Sequence, residues 1–351
     1  MWMGAVIVLA MSCSSDGDNQ PNSDMAGSPA GGSGGDATQA GAGGDLVGNA
    51  AGTATGGPGG AAGSTAGSGG VSAGGSVGTG GKAGAAGGGG GPEGDAGSAQ
   101  PTPSTGCGKG MRPAGGVVTV TDQYVLTFPA NYDGKIPMPV VFGFHGANRT
   151  NIDFRVNDAA TQGGDFEKTY VMAYVKSIGT DWTSQLAANF GRFDAVYDEL
   201  ANNHCIDTSR VFAMGHSSGA QFISNLVCRP EPRLRGVAPV ASSPYGGNCR
   251  AIPVMIIHGK MDNQRGNDGS AYVAQFVMHN GCSSTTAPYP VATCNSIAGG
   301  SLVTPGCVQY QMCGKNPTIW CSHDDPNYSG TNHGWPCFAN KAIFDFFGGL
   351  R

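Results

Sequence analysis

Behind an apolar run within residues 1–13, residues 14–105 show no periodic hydrophobic pattern, and only from residue 117 onward do short apolar runs alternate with segments of helical period. Residues 117–128 predict one or two strands. Residues 139–144, PVVFGF, are almost continuously apolar, as a strand covered on both faces must be. Further strands are predicted at 170–175, 210–214, 236–241 and 253–257, and helices at 189–202, 269–279 and 341–347. Strands alternating with helices predict an α/β domain, with a mostly parallel central sheet and helices on both faces.

Composition narrows the folded part. Half of the 62 glycines fall in residues 26–100, and no Phe, Tyr or Trp lies between Trp2 and Tyr124. Such a tract cannot bury enough apolar surface to offset its ordering entropy, so residues 14–105 are expected to be a disordered linker rich in Gly, Ala and Ser, and 106–351 the folded domain. Lys82 is the only basic residue before Gly106, against seven acidic ones, so the net charge of −5 belongs to the tract and the rest is nearly balanced. The folded part has no basic cluster with interleaved aromatics, which argues against nucleic acid as a partner.

The run within MWMGAVIVLAMSC has the length of an export signal and is too short for a permanent membrane span. Cys13 opens the polar tract in the manner of a bacterial lipoprotein cysteine, so residues 1–13 are expected to be a signal and Cys13 a lipidation site, with simple cleavage as the alternative. The only membrane contact expected is that lipid. Ten further cysteines remain, six of them from Cys282 to Cys337, with no zinc-type spacing. An even number at this density predicts up to five disulfides, many in the C-terminal third, and an oxidising, extracellular or outer-surface location. No metal or organic cofactor is implied.

Candidate chemistry centres on RVFAMGHSSGAQFISNL. The pattern G-x-S-x-G also occurs at Ser33, Ser72 and Ser76, but only Gly215–Gly219 follows a predicted strand and precedes a helix-like segment. That context marks a nucleophile elbow, where a serine on a strained strand-to-helix turn exposes its hydroxyl above a parallel sheet. Ser217 is therefore the candidate nucleophile. A carboxylate is required after a later strand, and Asp262 in IIHGKMDNQ stands there, with Asp268 as fallback. Of seven histidines, His333 in GTNHGWP immediately before the last helix is the candidate base; His323 in WCSHDDP is the competitor. Backbone amides of Ser218, next to the nucleophile, and Ala147, after the His145-Gly146 turn, are the candidate oxyanion donors.

The blocks PVVFGFHG, CIDTSRVFAMGHSSGAQF, LRGVAPVASS, IIHGKMDN and NHGWP resemble, in this order, those of the carbohydrate esterases that include feruloyl esterases, acetylxylan esterases and polyhydroxybutyrate depolymerase-like enzymes. Gly106-Cys107-Gly108-Lys109 and the cysteine-rich C-terminal third are most similar to secreted feruloyl esterases. The resemblance implies an α/β-hydrolase fold, a triad of Ser217, Asp262 and His333, and hydrolysis of feruloyl esters on plant cell-wall polysaccharide. The alternatives are acetylxylan or polyester substrates. Here the loop reads HGANRT, unlike the depolymerase-like members. Trp182, Trp335 and His145 are expected to line the substrate cleft. A hypothesis of another class is a catalytically silent surface protein that binds polysaccharide.

Overall fold

The computed structural model describes residues 100–109, 117–120, 122–159, 165–230, 233–247, 249–264, 269–326 and 331–350. The expected signal with Cys13, nearly all of the expected linker and the fallback acid Asp268 lie outside them.

The strands are β1 (Val117–Val120), β2 (Tyr124–Thr127), β3 (Met138–Phe144), β4 (Val171–Val175), β5 (Ile206–His216), β6 (Gly236–Val240), β7 (Val254–Gly259), β8 (Thr286–Pro288), β9 (Cys294–Asn295), β10 (Leu302–Val303), β11 (Gly306–Tyr310) and β12 (Thr318–His323). The α-helices are α1 (Asn151–Asp153), which runs on into a wider turn at Phe154–Ala159, α2 (Phe166–Thr169), α3 (Leu186–Asn203), α4 (Ser218–Val227), α5 (Ser270–His279) and α6 (Ala339–Gly349). Ten strands form one sheet in the order β1-β2-β4-β3-β5-β6-β7-β12-β11-β8. From β4 through β12 every pairing is parallel, and the strands beyond at either end are antiparallel. This is the α/β-hydrolase architecture.

Alternation along the strands sorts side chains into two cores. Val140, Phe142 and Phe144 of β3 face one core with Phe193 of α3 and Phe222 of α4, while Val141 faces the other with Phe346 and Phe347 of α6. Period two is what a strand must show when both faces are buried. In α3 the fully covered positions Asn189, Phe193, Val196 and Leu200 recur at helical spacing and form one stripe against the sheet.

Ten cysteines pair as Cys107–Cys205, Cys228–Cys249, Cys282–Cys313, Cys294–Cys337 and Cys307–Cys321. Three of the five bonds lie in the region from Cys282 to Cys337. Residues just before Gly106 pair with β5: the Ser104 amide donates to the Ile206 oxygen and the Thr208 amide to the Thr102 oxygen, both at 2.9 Å.

Candidate active site

The elbow is built by close approach. Ser217 stands between β5 and α4 with φ 53° and ψ −113°, a left-handed conformation that side chains other than glycine avoid and that persists only when its surroundings over-determine it. Two neighbours supply that constraint. The Ser217 amide donates to the Val240 oxygen of β6 at 2.9 Å, and a Cβ on Gly219 would lie 2.3 Å from the Phe144 oxygen at the end of β3. Only glycine lets α4 start so near that strand.

Asp262 follows β7 and is fully buried. His333 lies between β12 and α6 and is 2 % exposed. Because β5, β7 and β12 run parallel, their carboxyl ends share one rim of the sheet, and residues far apart in sequence meet there. His333 Nδ1 lies 2.8 Å from Asp262 Oδ2, and Nε2 lies 3.0 Å from Ser217 Oγ. The network assigns the tautomer: Nδ1–H donates to the carboxylate, and the Ser217 hydroxyl donates to Nε2. Burial pushes the Asp262 carboxyl up, but the His333 hydrogen bond, the nearby charges of His333 and His258 and the Gln264 amide outweigh it and hold the carboxyl below its usual range. An ionised acid, an oriented imidazole and a hydroxyl aimed at its second nitrogen can carry out acyl transfer.

The loop bearing His333 is held from behind. Asn332, in left-handed conformation at φ 54°, donates through Nδ2 to the Asp325 oxygen at 2.7 Å. The buried Asp325 carboxylate accepts from the Cys337 amide at 3.0 Å and from Ser296 Oγ at 2.5 Å, and Cys337 is tied to Cys294. The turn after β3 also reaches the elbow, since a Cβ on Gly146 would lie 3.7 Å from the Ser217 Cβ. Ala147, next in this turn, is exposed, and Ser218 begins α4.

Two residues expected in the cleft are instead sealed inside. Trp182 is fully buried and stacks on Phe222; its indole N–H donates to the His145 oxygen at 2.8 Å and its amide to Ser218 Oγ at 3.0 Å. Satisfying those two acceptors beneath the site turns the ring inward. His145 is also fully buried: Nδ1–H donates to the Gly146 oxygen at 2.7 Å and Nε2 accepts from the Ser177 amide at 3.0 Å. Burial outweighs that first bond and pushes its pKa down to about 4, so the ring braces the turn as a neutral group. His323, the competitor base, is buried against Phe338, where its Nδ1 accepts from the Asp325 amide at 3.3 Å.

Trp335 does reach a cavity. It is 6 % exposed, its Nε1–H donates to Asn340 Oδ1 at 3.1 Å, and its ring helps line a pocket of about 210 Å³ with Arg149, His216, Ile297, Ala298 and Gly334. Arg149 Nη1 donates to Asp158 Oδ2 at 2.7 Å on that rim. Sequence reasoning missed Asp325, Ser296, Arg149 and Asp158, whose partners are all distant in sequence or hidden in irregular loops. Neither the pocket at Trp335 nor a roomier recess of about 330 Å³ between residues 289–294 and α6 is lined by Ser217, Asp262 or His333 themselves, but the smaller one is lined by their chain neighbours His216 and Gly334.

No protein-family model matches the chain. Feruloyl esterase D of Neurospora crassa is 25 % identical over 276 residues, covering 71 % of this chain and 91 % of that protein. Feruloyl esterase C of Emericella nidulans is 29 % identical over 257 residues, covering 70 % and 90 %. Among solved structures, an acetyl xylan esterase from Aspergillus awamori superposes with a TM-score of 0.42 and 14 % identity, covering 66 % of this chain and 98 % of that one. The chain is a carboxylic ester hydrolase of the α/β-hydrolase fold. Within that class it is related to the feruloyl esterases.

Proposed function

We propose that this protein is an exported serine esterase that cleaves feruloyl or related hydroxycinnamoyl esters of plant cell-wall polysaccharide through a triad of Ser217, His333 and Asp262. The observation that carries the reading is the unbroken hydrogen-bonded chain from Ser217 Oγ through His333 to Asp262. His333 takes the Ser217 proton as Oγ attacks the ester carbonyl, and Asp262 stabilises the imidazolium. The amides of Ser218 and Ala147 hold the oxyanion. The alcohol departs with the proton from His333, and water then attacks the acyl-serine by the same route in reverse.

Pocket size and similarity to feruloyl esterases both favour a feruloyl acyl group. A pocket of about 210 Å³ beside His216 and Gly334 exceeds the ~150 Å³ cavity that holds benzene; an acetyl group would leave most of it empty. Pairing of all ten cysteines among the described residues supports an oxidising location. Residues 1–13 then act as the export signal, with Cys13 as lipid anchor, and 14–105 link it to the domain.

The test is turnover of p-nitrophenyl acetate by wild type and Ser217→Ala, followed by methyl ferulate, acetylated xylan and polyhydroxybutyrate. Loss of at least about 10⁴-fold in the variant is expected, with ferulate released fastest among the natural-type substrates. Equal rates in both proteins would leave a polysaccharide-binding role. Preference for xylan acetate or the polyester would replace the substrate.

A further inference from the structure

His216 joins the two halves of the site. It ends β5 directly before Ser217 and is 3 % exposed. Its Nε2 lies 2.7 Å from the main-chain oxygen of His333. A carbonyl oxygen only accepts, so Nε2 carries the proton in this bond. Burial outweighs the bond to His333 and pushes the pKa of the ring down to about 3, which leaves Nδ1 as a bare lone pair. That nitrogen has no hydrogen-bond partner among the described residues, and it faces the turn after β3, where a Cβ on Gly146 would come within 3.1 Å of it. A buried polar atom without a partner is a cost that an aliphatic side chain in the same place would not carry. What the imidazole offers in exchange is the bond from Nε2–H.

That bond reaches the main chain of His333. The residue before it is in the left-handed region, and the described residues between β12 and α6 form no helix or strand. Asp325 and the Cys294–Cys337 bond hold this segment from the far side. On the near side, Asp262 meets Nδ1 and Ser217 meets Nε2, but both contacts act on the ring. The carbonyl oxygen is a main-chain point, and His216 holds it.

We propose that His216 is a positioning residue whose Nε2–H clamps the His333 main chain to the end of β5, keeping the imidazole in register with Ser217 while charge develops. The proposal rests on the triad reading above. Because clamp and nucleophile are consecutive residues, movement of the elbow carries the base with it, and the distance between Ser217 Oγ and His333 Nε2 is preserved.

The experiment compares His216→Gln, His216→Asn and His216→Leu on p-nitrophenyl acetate, with kcat and KM resolved and melting temperatures recorded, and Ser217→Ala as control. Gln places an amide N–H near the Nε2 position, whereas Asn is one methylene too short and Leu has no donor. A displacement near 1 Å in a catalytic group costs about 100-fold, so kcat should fall about 10- to 100-fold in the Asn and Leu variants, with KM changed less than about threefold. The Gln variant should stay within about fivefold of wild type. A folded Asn or Leu variant within twofold of the wild-type kcat overturns the proposal. So does a Gln variant that melts as wild type yet loses more than tenfold in kcat, a result that stands even if the shorter and apolar variants do not fold. If Ser217→Ala matches wild type, the triad itself fails, which is a different outcome from any of these.

Discussion

Acid should destabilise this domain steeply, and the size of the effect follows from its buried imidazoles. Burial holds His145 and His323 at a pKa of about 4 and His216 at about 3, against an ordinary value of 6.5. Between pH 6.5 and about 4 the unfolded chain therefore binds protons that the folded one does not, so stability is full above pH 6.5 and falls as pH falls. At pH 4.5 each ring has cost about 2.7 kcal/mol, and the three together about 8 kcal/mol. Asp158 works the other way: burial, only partly offset by Arg149, raises its carboxyl to about 6 from an ordinary 3.8. Its folded state holds a proton that the unfolded chain releases, which returns about 2 kcal/mol at pH 4.5. Asp262, held below 3.8, stays ionised across this range. The net loss of about 6 kcal/mol is comparable with the whole stability of many domains and corresponds to about 12–24 °C in melting temperature. Thermal melts at pH 7, 5.5 and 4.5 at constant ionic strength measure it. His216→Gln, which removes one of these titrating rings, takes about 2.7 of the net 6 kcal/mol away and should make the slope nearly half as steep. A melting temperature that moves less than about 5 °C between pH 7 and 4.5 would refute the reasoning.

Other perturbations separate bracing from chemistry. Trp182→Ala should cost about 3–5 kcal/mol in denaturant unfolding, as large-to-small changes in a core do; a cleft-wall tryptophan would instead raise KM and leave stability near wild type. Gly219→Ala forces a Cβ toward the Phe144 oxygen and should lower stability by at least about 1–3 kcal/mol, together with turnover, read by calorimetry and an ester assay. Replacing Cys294 and Cys337 with Ser opens a 43-residue link that loop-closure entropy values at about 4 kcal/mol, and turnover should fall more than for loss of Cys228–Cys249 because Cys337 anchors the His333 segment.

What could be read from residues alone depended on whether a constraint was local. The strands β3, β5 and β7 were legible because each carries a continuous apolar run, and Ser217 because two glycines flank it between such a run and a helix. Asp262 and His333 followed from chain order relative to those strands, and the structure brings both to Ser217. Strands β8, β11 and β12 were not legible. TIWCSH mixes Thr, Cys, Ser and His, and is a strand because it pairs in parallel with β7 and is stapled through Cys321. The inward turn of Trp182 was equally hidden, since a loop position does not reveal that the His145 oxygen and Ser218 Oγ wait beneath it. His216 was visible only as part of a motif; its bond to the His333 oxygen spans 117 residues.

The sheet's outermost strand on the β12 side decides what a second molecule would meet at that border. β8 is three residues long and ends in Pro288, which sits opposite Val308 of β11. A proline has no N–H to offer, and three residues give an incoming chain almost nothing to pair with. Ten strands therefore end on a border that resists extension by a second molecule. On that side a second copy of the chain would find no ladder to continue.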